Sequence, residues 1–189
     1  MPSDLDVTQA LPYLKPVAPD GTPALKVSDE DFPVIRPFVG QLLITYLVDK
    51  GDRFEYVQHH HLDAAGFTEE RLHRHALHNL GLRAAAGEVR TALHCSITAV
   101  LFDGNLESSL MLLNPLWPPI ADRLGGGEIL AAAPARDTLA VCPASSTVGR
   151  QELNGLIERL WPVGDHLLTR DIYLRRNDSW QVAEPSDST

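Results

Sequence analysis

Short connections between successive strand-like segments constrain the fold of this 189-residue chain more than any other feature. The apolar, β-branched run 41–48 is followed by turn residues at 49–52 and by an alternating run at 54–58. So short a connection cannot cross over a sheet, as a parallel pair requires, and the two runs are predicted to form an antiparallel hairpin. The strand-like segments 128–133 and 138–141 are separated by an equally short turn, and residues 93–102 are predicted to form one further strand. The sequence therefore predicts a mostly antiparallel sheet.

Helical segments alternate with these hairpins. The clearest one begins after Thr68, a residue suited to cap a helix N-terminus, and is predicted to end at Gly81. Two further helices are predicted at 114–124 and 147–160. Because the order strand, strand, helix repeats with variation, the sequence predicts an α+β fold in which helices pack on one face of the mostly antiparallel sheet.

Prolines divide the chain near its N-terminal end. Seven of them fall within residues 1–38. Because proline fixes φ and lacks a backbone donor, this segment is predicted to be an irregular, proline-rich arm. Residues 39–183 are predicted to form a single α+β domain, and the polar residues 184–189 a frayed tail.

The acidic balance of the chain argues against several classes of partner. It carries 25 acidic and 16 basic residues, which gives a formal net charge of −9. A nucleic-acid-binding surface is usually basic, and anionic membrane surfaces repel an acidic chain, so neither partner is expected. No apolar segment has the length of a transmembrane helix, and the N-terminus lacks the pattern of a secretory signal. A cytoplasmic location is therefore predicted.

The two cysteines lack the spacing of a metal site. Cys95 and Cys142 lie in strand-like segments with no neighbouring ligand at CxxC spacing, and nothing in the sequence pairs them as a disulfide. They are predicted to be buried free thiols in a reducing cytosol.

Three blocks of residues resemble one bacterial family. They are Leu-Leu-Ile-Thr-Tyr-Leu-Val-Asp at 42–49, Ala-Ala-Pro-Ala-Arg-Asp-Thr-Leu at 132–139, and Asp-Ile-Tyr-Leu-Arg-Arg at 171–176, which is followed by Trp180. In this order they resemble the YtpQ-like family, a domain of unknown function, over about residues 34–183. The resemblance implies a cytosolic bacterial protein. It implies no reaction, cofactor or partner.

Arg136 and three aspartates are the candidate catalytic residues. Arg136 and Asp137 are predicted to lie in a tight turn, where the guanidinium could meet a carboxylate or a phosphate. The favoured alternative is that the Asp137 side chain accepts backbone N–H bonds that close the turn, with Arg136 packed or paired nearby, because aspartates are common in turns for that reason. Together with Asp165 or Asp171, the pair would suit acid–base or hydrolytic chemistry.

Histidines supply the candidate metal ligands, namely His59, His61, His75 and His78. The first two follow a strand-like segment, and the other two are three residues apart on the predicted helix. No pair on this helix has the spacing of four that places two imidazoles on one face with a catalytic carboxylate. Solvated histidines are therefore the favoured interpretation, and no cofactor is expected.

No nucleophile motif or phosphate-binding loop accompanies these candidates. The glycine run 125–127 follows a predicted helix, whereas a phosphate-binding loop precedes one. The function predicted from the sequence is a non-catalytic protein-interaction module whose partner is another protein or a second copy of the chain. The alternative is a hydrolase or metal-dependent enzyme that uses Arg136 with Asp137, Asp165 or Asp171.

Overall fold

A computed structural model of the chain describes residues 5–17, 32–87 and 89–185. The chain divides into two compact units, Met1–Glu88 and Val89–Thr189. Each unit has its own antiparallel sheet and its own helices, so the fold belongs to the predicted α+β class. The segment predicted to be one domain spans the boundary between the units. No helix in the described ranges has the length and apolar character needed to cross a membrane.

The N-terminal unit is built around a long central strand. Its described elements are β1 (Leu11–Pro16), β2 (Ile35–Pro37), β3 (Leu42–Asp49), β4 (Phe54–Tyr56), α1 (His59–Ala65) and α2 (Glu69–Ala86). Strand β3 pairs antiparallel with β1, β2 and β4. Helix α2 packs on β1. It buries Leu72, Ala76 and Leu80, apolar residues that recur every four positions along the helix.

Strand β1 lies within the segment predicted to be an irregular arm. It pairs with β3 from Leu11 opposite Leu47 to Pro16 opposite Leu42. Its prolines are compatible with a strand because β1 lies at an edge of the described sheet, where an amide donor on the open side has no partner to lose. The structure therefore differs from the predicted arm at β1 and β2. Residues 1–4 and 18–31 of that arm lie outside the described part of the chain.

The C-terminal unit contains a six-stranded antiparallel sheet with the order β10-β9-β7-β8-β6-β5. Its described elements are β5 (Arg90–His94), β6 (Ile97–Leu101), α3 (Trp117–Arg123), β7 (Ile129–Ala135), β8 (Thr138–Pro143), α4 (Thr147–Leu160), β9 (Ile172–Arg176) and β10 (Ser179–Val182). Of the predicted polar tail, residues 186–189 lie outside the described ranges.

Both faces of the six-stranded sheet are covered. On one face, Leu153 and Ile157 of α4 pack against Leu130 and Cys142, which are opposite each other on β7 and β8. On the other face, two 3₁₀ turns, Ser108–Leu112 and Asn114–Leu116, lead into α3. There the Trp117 ring meets the Trp180 ring edge to face, with centroids 4.9 Å apart.

Several predicted elements have different limits in the structure. The helix predicted at 114–124 begins as a 3₁₀ turn, Asn114–Leu116, and is α-helical from Trp117 to Arg123. Helix α2 continues past Gly81 to Ala86 and ends at Gly87, because one glycine costs a helix only about 1 kcal/mol and packing outweighs it. The segment 93–102, predicted to be one strand, is part of the hairpin β5–β6. The chain turns at Cys95, whose φ of 51° is left-handed.

Candidate functional site

The Arg136–Asp137 turn joins β7 to β8 and is held through its backbone. The Arg136 amide donates to the His166 carbonyl at 3.2 Å, and the Arg136 carbonyl accepts from the Ser108 amide at 3.0 Å. Asp137 is exposed and accepts a hydrogen bond from the Thr138 hydroxyl at 3.2 Å. These contacts give the turn a structural role.

The other two candidate acids use their contacts locally. Asp165 is exposed, and its carboxylate accepts from the His166 amide at 2.8 Å. The amide of Asp171 donates to the Thr169 hydroxyl at 3.0 Å. Among the ion pairs of the described residues, none joins Arg136 to Asp137, Asp165 or Asp171. No described contact thus brings the candidate catalytic residues together.

The first two candidate metal ligands belong to α1 and do not simply follow a strand. His59 begins the helix, and its Nδ1 lies 3.8 Å from a carboxylate oxygen of Glu69. His61 is buried, and its Nδ1 accepts from the Gln58 amide at 2.9 Å, which completes a capping box. Burial lowers the pKa of His61, and the neighbouring His60 lowers it further. His61 thus contributes a ring nitrogen to the helix cap.

The other two candidate ligands lie on the solvent side of α2. The His75 ring contacts the Phe67 ring with centroids 5.3 Å apart, and His78 is exposed. Within the described ranges, no group of three or more histidine, cysteine or acidic side chains is placed to hold a metal ion. The structure does not bring His59, His61, His75 and His78 together as ligands.

The solvent side of α2 instead carries a basic stripe that the sequence analysis did not identify. His75 and His78 share an open cavity of about 340 Å³ with Arg71 and Arg74. The Arg71 guanidinium lies over the Phe67 ring, 4.1 Å from its centroid. The spacing of three and four between these residues was a signal available from the sequence.

Two further cavities are lined by charged residues, some of which neutralise each other as ion pairs in the described part of the chain. A cavity of about 480 Å³ in the N-terminal unit contains Asp49 and Arg83, whose Oδ2 and Nη1 atoms are 3.3 Å apart. A cavity of about 270 Å³ in the C-terminal unit contains Arg176, which pairs with Glu128. Each ion pair thus neutralises two of the charged residues that line its cavity.

Strand β5 is an open edge of the six-stranded sheet. In the described part of the chain it pairs with β6 alone. Four of its five residues are exposed, and Leu93 is the most prominent, with 78% of its surface accessible. A leucine so exposed on an edge strand marks a surface that can bind another chain.

The hairpin geometry determines which backbone groups of β5 point outward. His94 is opposite Ile97 across a two-residue turn, and such a closing pair exchanges hydrogen bonds within the hairpin. The bonding alternates along an antiparallel pair. The N–H and C=O groups of Thr91 and Leu93 therefore point away from β6.

The other edge strands are better protected. Strand β1 carries Pro12 and Pro16, and proline discourages further pairing at an edge. Strand β10 is short, and its Trp180 indole donates to the Met111 carbonyl at 2.9 Å. Strand β5 contains neither proline nor lysine.

The ionisable residues of β5 are both basic types, arginine and histidine. The side chains of Arg90, Ala92 and His94 lie on one face of the strand, and those of Thr91 and Leu93 lie on the other. Close to this strand, Arg123 of α3 approaches the Thr91 hydroxyl at 3.5 Å. No acidic residue occurs in β5, although acidic residues predominate in the whole chain.

The two cysteines differ in environment, so the expectation that both are buried is wrong for one of them. Cys95 is exposed at the β5–β6 turn, whereas Cys142 is buried beneath α4. Burial raises the pKa of the Cys142 thiol to about 11. Both are free thiols.

Comparison with protein-family models, with curated proteins and with solved structures finds no match. The resemblance to the YtpQ-like family therefore stays a prediction from the sequence.

Proposed function

We propose that this protein is a non-catalytic protein-interaction module that binds an extended segment of another protein along β5. The observation that supports this function is the open edge strand itself, which is free of proline and exposes Leu93. In strand addition, main-chain hydrogen bonds supply affinity and alternate side chains supply specificity. The outward backbone groups of Thr91 and Leu93 are the groups available for such bonds.

The chemistry of β5 favours an acidic partner segment. Arg90 and His94 on one face would meet carboxylates, while Leu93 on the other would meet apolar side chains. The partner is thus a segment that alternates acidic and apolar residues. A second copy of the chain fits less well, because a symmetric pairing centred on Ala92 places Arg90 opposite His94. Each copy also carries a net charge of −9.

The test is binding of a fluorescein-labelled peptide that alternates glutamate and valine, measured by fluorescence anisotropy on the full chain. Leu93→Pro removes an outward N–H without removing a bond to β6. We expect this variant to bind at least about tenfold more weakly, a loss of about 1.4 kcal/mol. Leu93→Val keeps the N–H and an apolar side chain, and we expect it to bind like the original protein.

Two results would overturn the proposal. The first is equal binding by the Leu93→Pro variant, with its folded state verified by circular dichroism. The second is equal binding of a peptide that alternates lysine and valine. If sedimentation shows a dimer that Leu93→Pro dissociates, the occupant of β5 is a second copy and the proposed acidic partner is wrong.

A further inference from the structure

The solvent side of α2 carries basic side chains that form no ion pair within the described part of the chain. Arg71, Arg74, His75 and His78 are spaced by three and four residues, so they lie on one stripe of the helix. This stripe is opposite the buried face that contains Leu72, Ala76 and Leu80. Most of its side chains are exposed.

The acidic residues of α2 are committed elsewhere. Glu70 pairs with Arg36, with Oε2 and Nη1 2.8 Å apart, and Glu69 lies 3.8 Å from His59 Nδ1. The Arg36 guanidinium holds the pKa of Glu70 below its usual range. Among the ion pairs of the described residues, none includes Arg71, Arg74 or a histidine of the stripe.

Leaving these cations together has an energetic cost. Like charges three or four residues apart destabilise a helix by about 0.2–0.5 kcal/mol per pair. Arg71 and Arg74 form one such pair, and the histidines add to it when they are protonated. Glu70, four residues before Arg74, offsets part of this cost, but no acidic residue lies three or four positions from Arg71. A partner that supplies acids removes the remaining cost.

Apolar side chains mark the two ends of the stripe. Phe67 precedes Arg71 by four residues, and its ring contacts the His75 ring and the Arg71 guanidinium. Leu82 follows His78 by four residues and has 58% of its surface exposed. At 1.5 Å per residue, the helix from Arg71 to Leu82 spans about 16 Å. That length corresponds to three turns of a second helix.

We infer that the stripe Arg71, Arg74, His75 and His78 is a second interaction surface, which binds an acidic amphipathic helix of another protein. Carboxylates spaced by three and four residues on that helix face the cations of α2. Apolar residues at the two ends of the acidic row contact Phe67 and Leu82. This surface lies in the N-terminal unit and is independent of the function proposed for β5.

The probe is a fluorescein-labelled helical peptide that carries glutamates at spacings of three and four between two leucines. The full chain is titrated with it at low and at physiological salt, and anisotropy reports binding. We expect saturable binding that weakens with salt, since exposed charges are screened. A peptide with glutamine in place of each glutamate should bind at least about tenfold more weakly, a loss of about 1.4 kcal/mol.

The double variant Arg71→Gln/Arg74→Gln tests the stripe itself, since glutamine keeps the helix propensity of arginine. We expect it to weaken binding at least about tenfold, a change of about 1.4 kcal/mol. Thermal stability should change by less than about 1 kcal/mol, because the like-charge repulsion that is removed and the Arg71–Phe67 contact that is lost are both small. The control Lys50→Gln/Arg53→Gln removes the same charge from the β3–β4 connection and should leave binding unchanged.

Several outcomes would overturn this inference. They are equal binding of the glutamine peptide, equal loss of binding in the control variant, and absence of saturable binding at millimolar peptide. Tighter binding of a single-stranded oligonucleotide, abolished by the same double variant, would assign the stripe to a phosphate polymer instead. Because Leu93→Pro leaves α2 intact, it should bind the helical peptide normally, which separates this inference from the function of β5.

Discussion

Gly149 of α4 lies so close to Cys142 of β8 that a β-carbon at position 149 would be 2.7 Å from the Cys142 Cβ and 2.9 Å from its Sγ. Both atoms belong to Cys142, a buried residue of β8 whose backbone cannot move away without disturbing the sheet. The absence of a side chain at Gly149 therefore determines how closely α4 approaches β8.

Substitution Gly149→Ala is expected to destabilise the protein by about 1–3 kcal/mol, the usual cost of overpacking a core. Urea unfolding followed by circular dichroism measures the change. The control is Gly81→Ala in α2, where a β-carbon meets nothing within 4 Å and the helix should gain about 0.5–1 kcal/mol. If Gly149→Ala is as stable as the original protein, α4 does not lie this close to β8.

Glu107 stabilises the loop that follows β6. Only 4% of its surface is exposed, and its Oε1 accepts from the amides of Phe102 and Gly104 at 3.0 and 2.7 Å. Glu107→Ala leaves both amides without this acceptor and should cost about 2–4 kcal/mol in the free energy of unfolding. Asp137→Ala, at an exposed turn, should change it by less than about 0.5 kcal/mol. Comparable losses in the two variants would contradict this role.

Two histidines should make stability depend on pH. Burial lowers the pKa of His73, and Arg36 lowers it further. Burial likewise lowers the pKa of His61. A histidine with a lowered pKa in the folded state binds more protons when unfolded, so its contribution to stability is complete above pH 6.5 and is lost as the pH falls below that value.

The free energy of unfolding should therefore decrease from pH 7 to pH 5, and denaturant titrations at several pH values measure it. His73 Nδ1 is 2.9 Å from the Tyr46 hydroxyl, which can donate only while the imidazole is neutral. His73→Gln should reduce the slope of the free energy of unfolding with pH. If the free energy of unfolding of this variant depends on pH as steeply as that of the original protein, His73 is not a source of the pH dependence.

The two thiols should react at very different rates. Cys95 is exposed, whereas Cys142 is buried and its pKa is raised to about 11. A thiol-specific chromogenic disulfide should label Cys95 rapidly in the native protein and Cys142 only after unfolding, because reaction requires an accessible thiolate. Cys95→Ser should abolish the rapid phase. Rapid labelling of both thiols would show that α4 does not cover Cys142.

Local chemistry predicted the starts of α2 and α4 correctly, whereas α1 was not predicted and the helix predicted from 114 is α-helical only from Trp117. Thr68 accepts from the Arg71 amide at 3.2 Å, and Ser146 accepts from the Gly149 amide at 2.9 Å, as capping residues do. Helix α4 occupies the range 147–160 predicted from its pattern. These features depend on residues within one or two turns of each other, so the sequence contains the information they need.

The candidate site was less predictable, because it depends on neighbours that are remote in the sequence. Nothing near Arg136 in the sequence indicates that its backbone pairs with His166 and Ser108. The residues Cys95 and Ser96 lack the usual glycine or asparagine of a hairpin turn, so the strand predicted at 93–102 ran through this turn and left the first three residues of β5 outside it. The basic stripe was available from the sequence, because its residues are spaced by three and four opposite the apolar positions of α2.

The sequence by itself determined the α+β class, the antiparallel pairing and the helix caps, because turn length, apolar spacing and capping side chains act over short distances. Tertiary structure decided which strands lie at a sheet edge. That position makes Pro12 and Pro16 acceptable in β1 and leaves Leu93 exposed in β5. Whether a strand is central or at an edge depends on which other strands pair with it, and no local pattern specifies this.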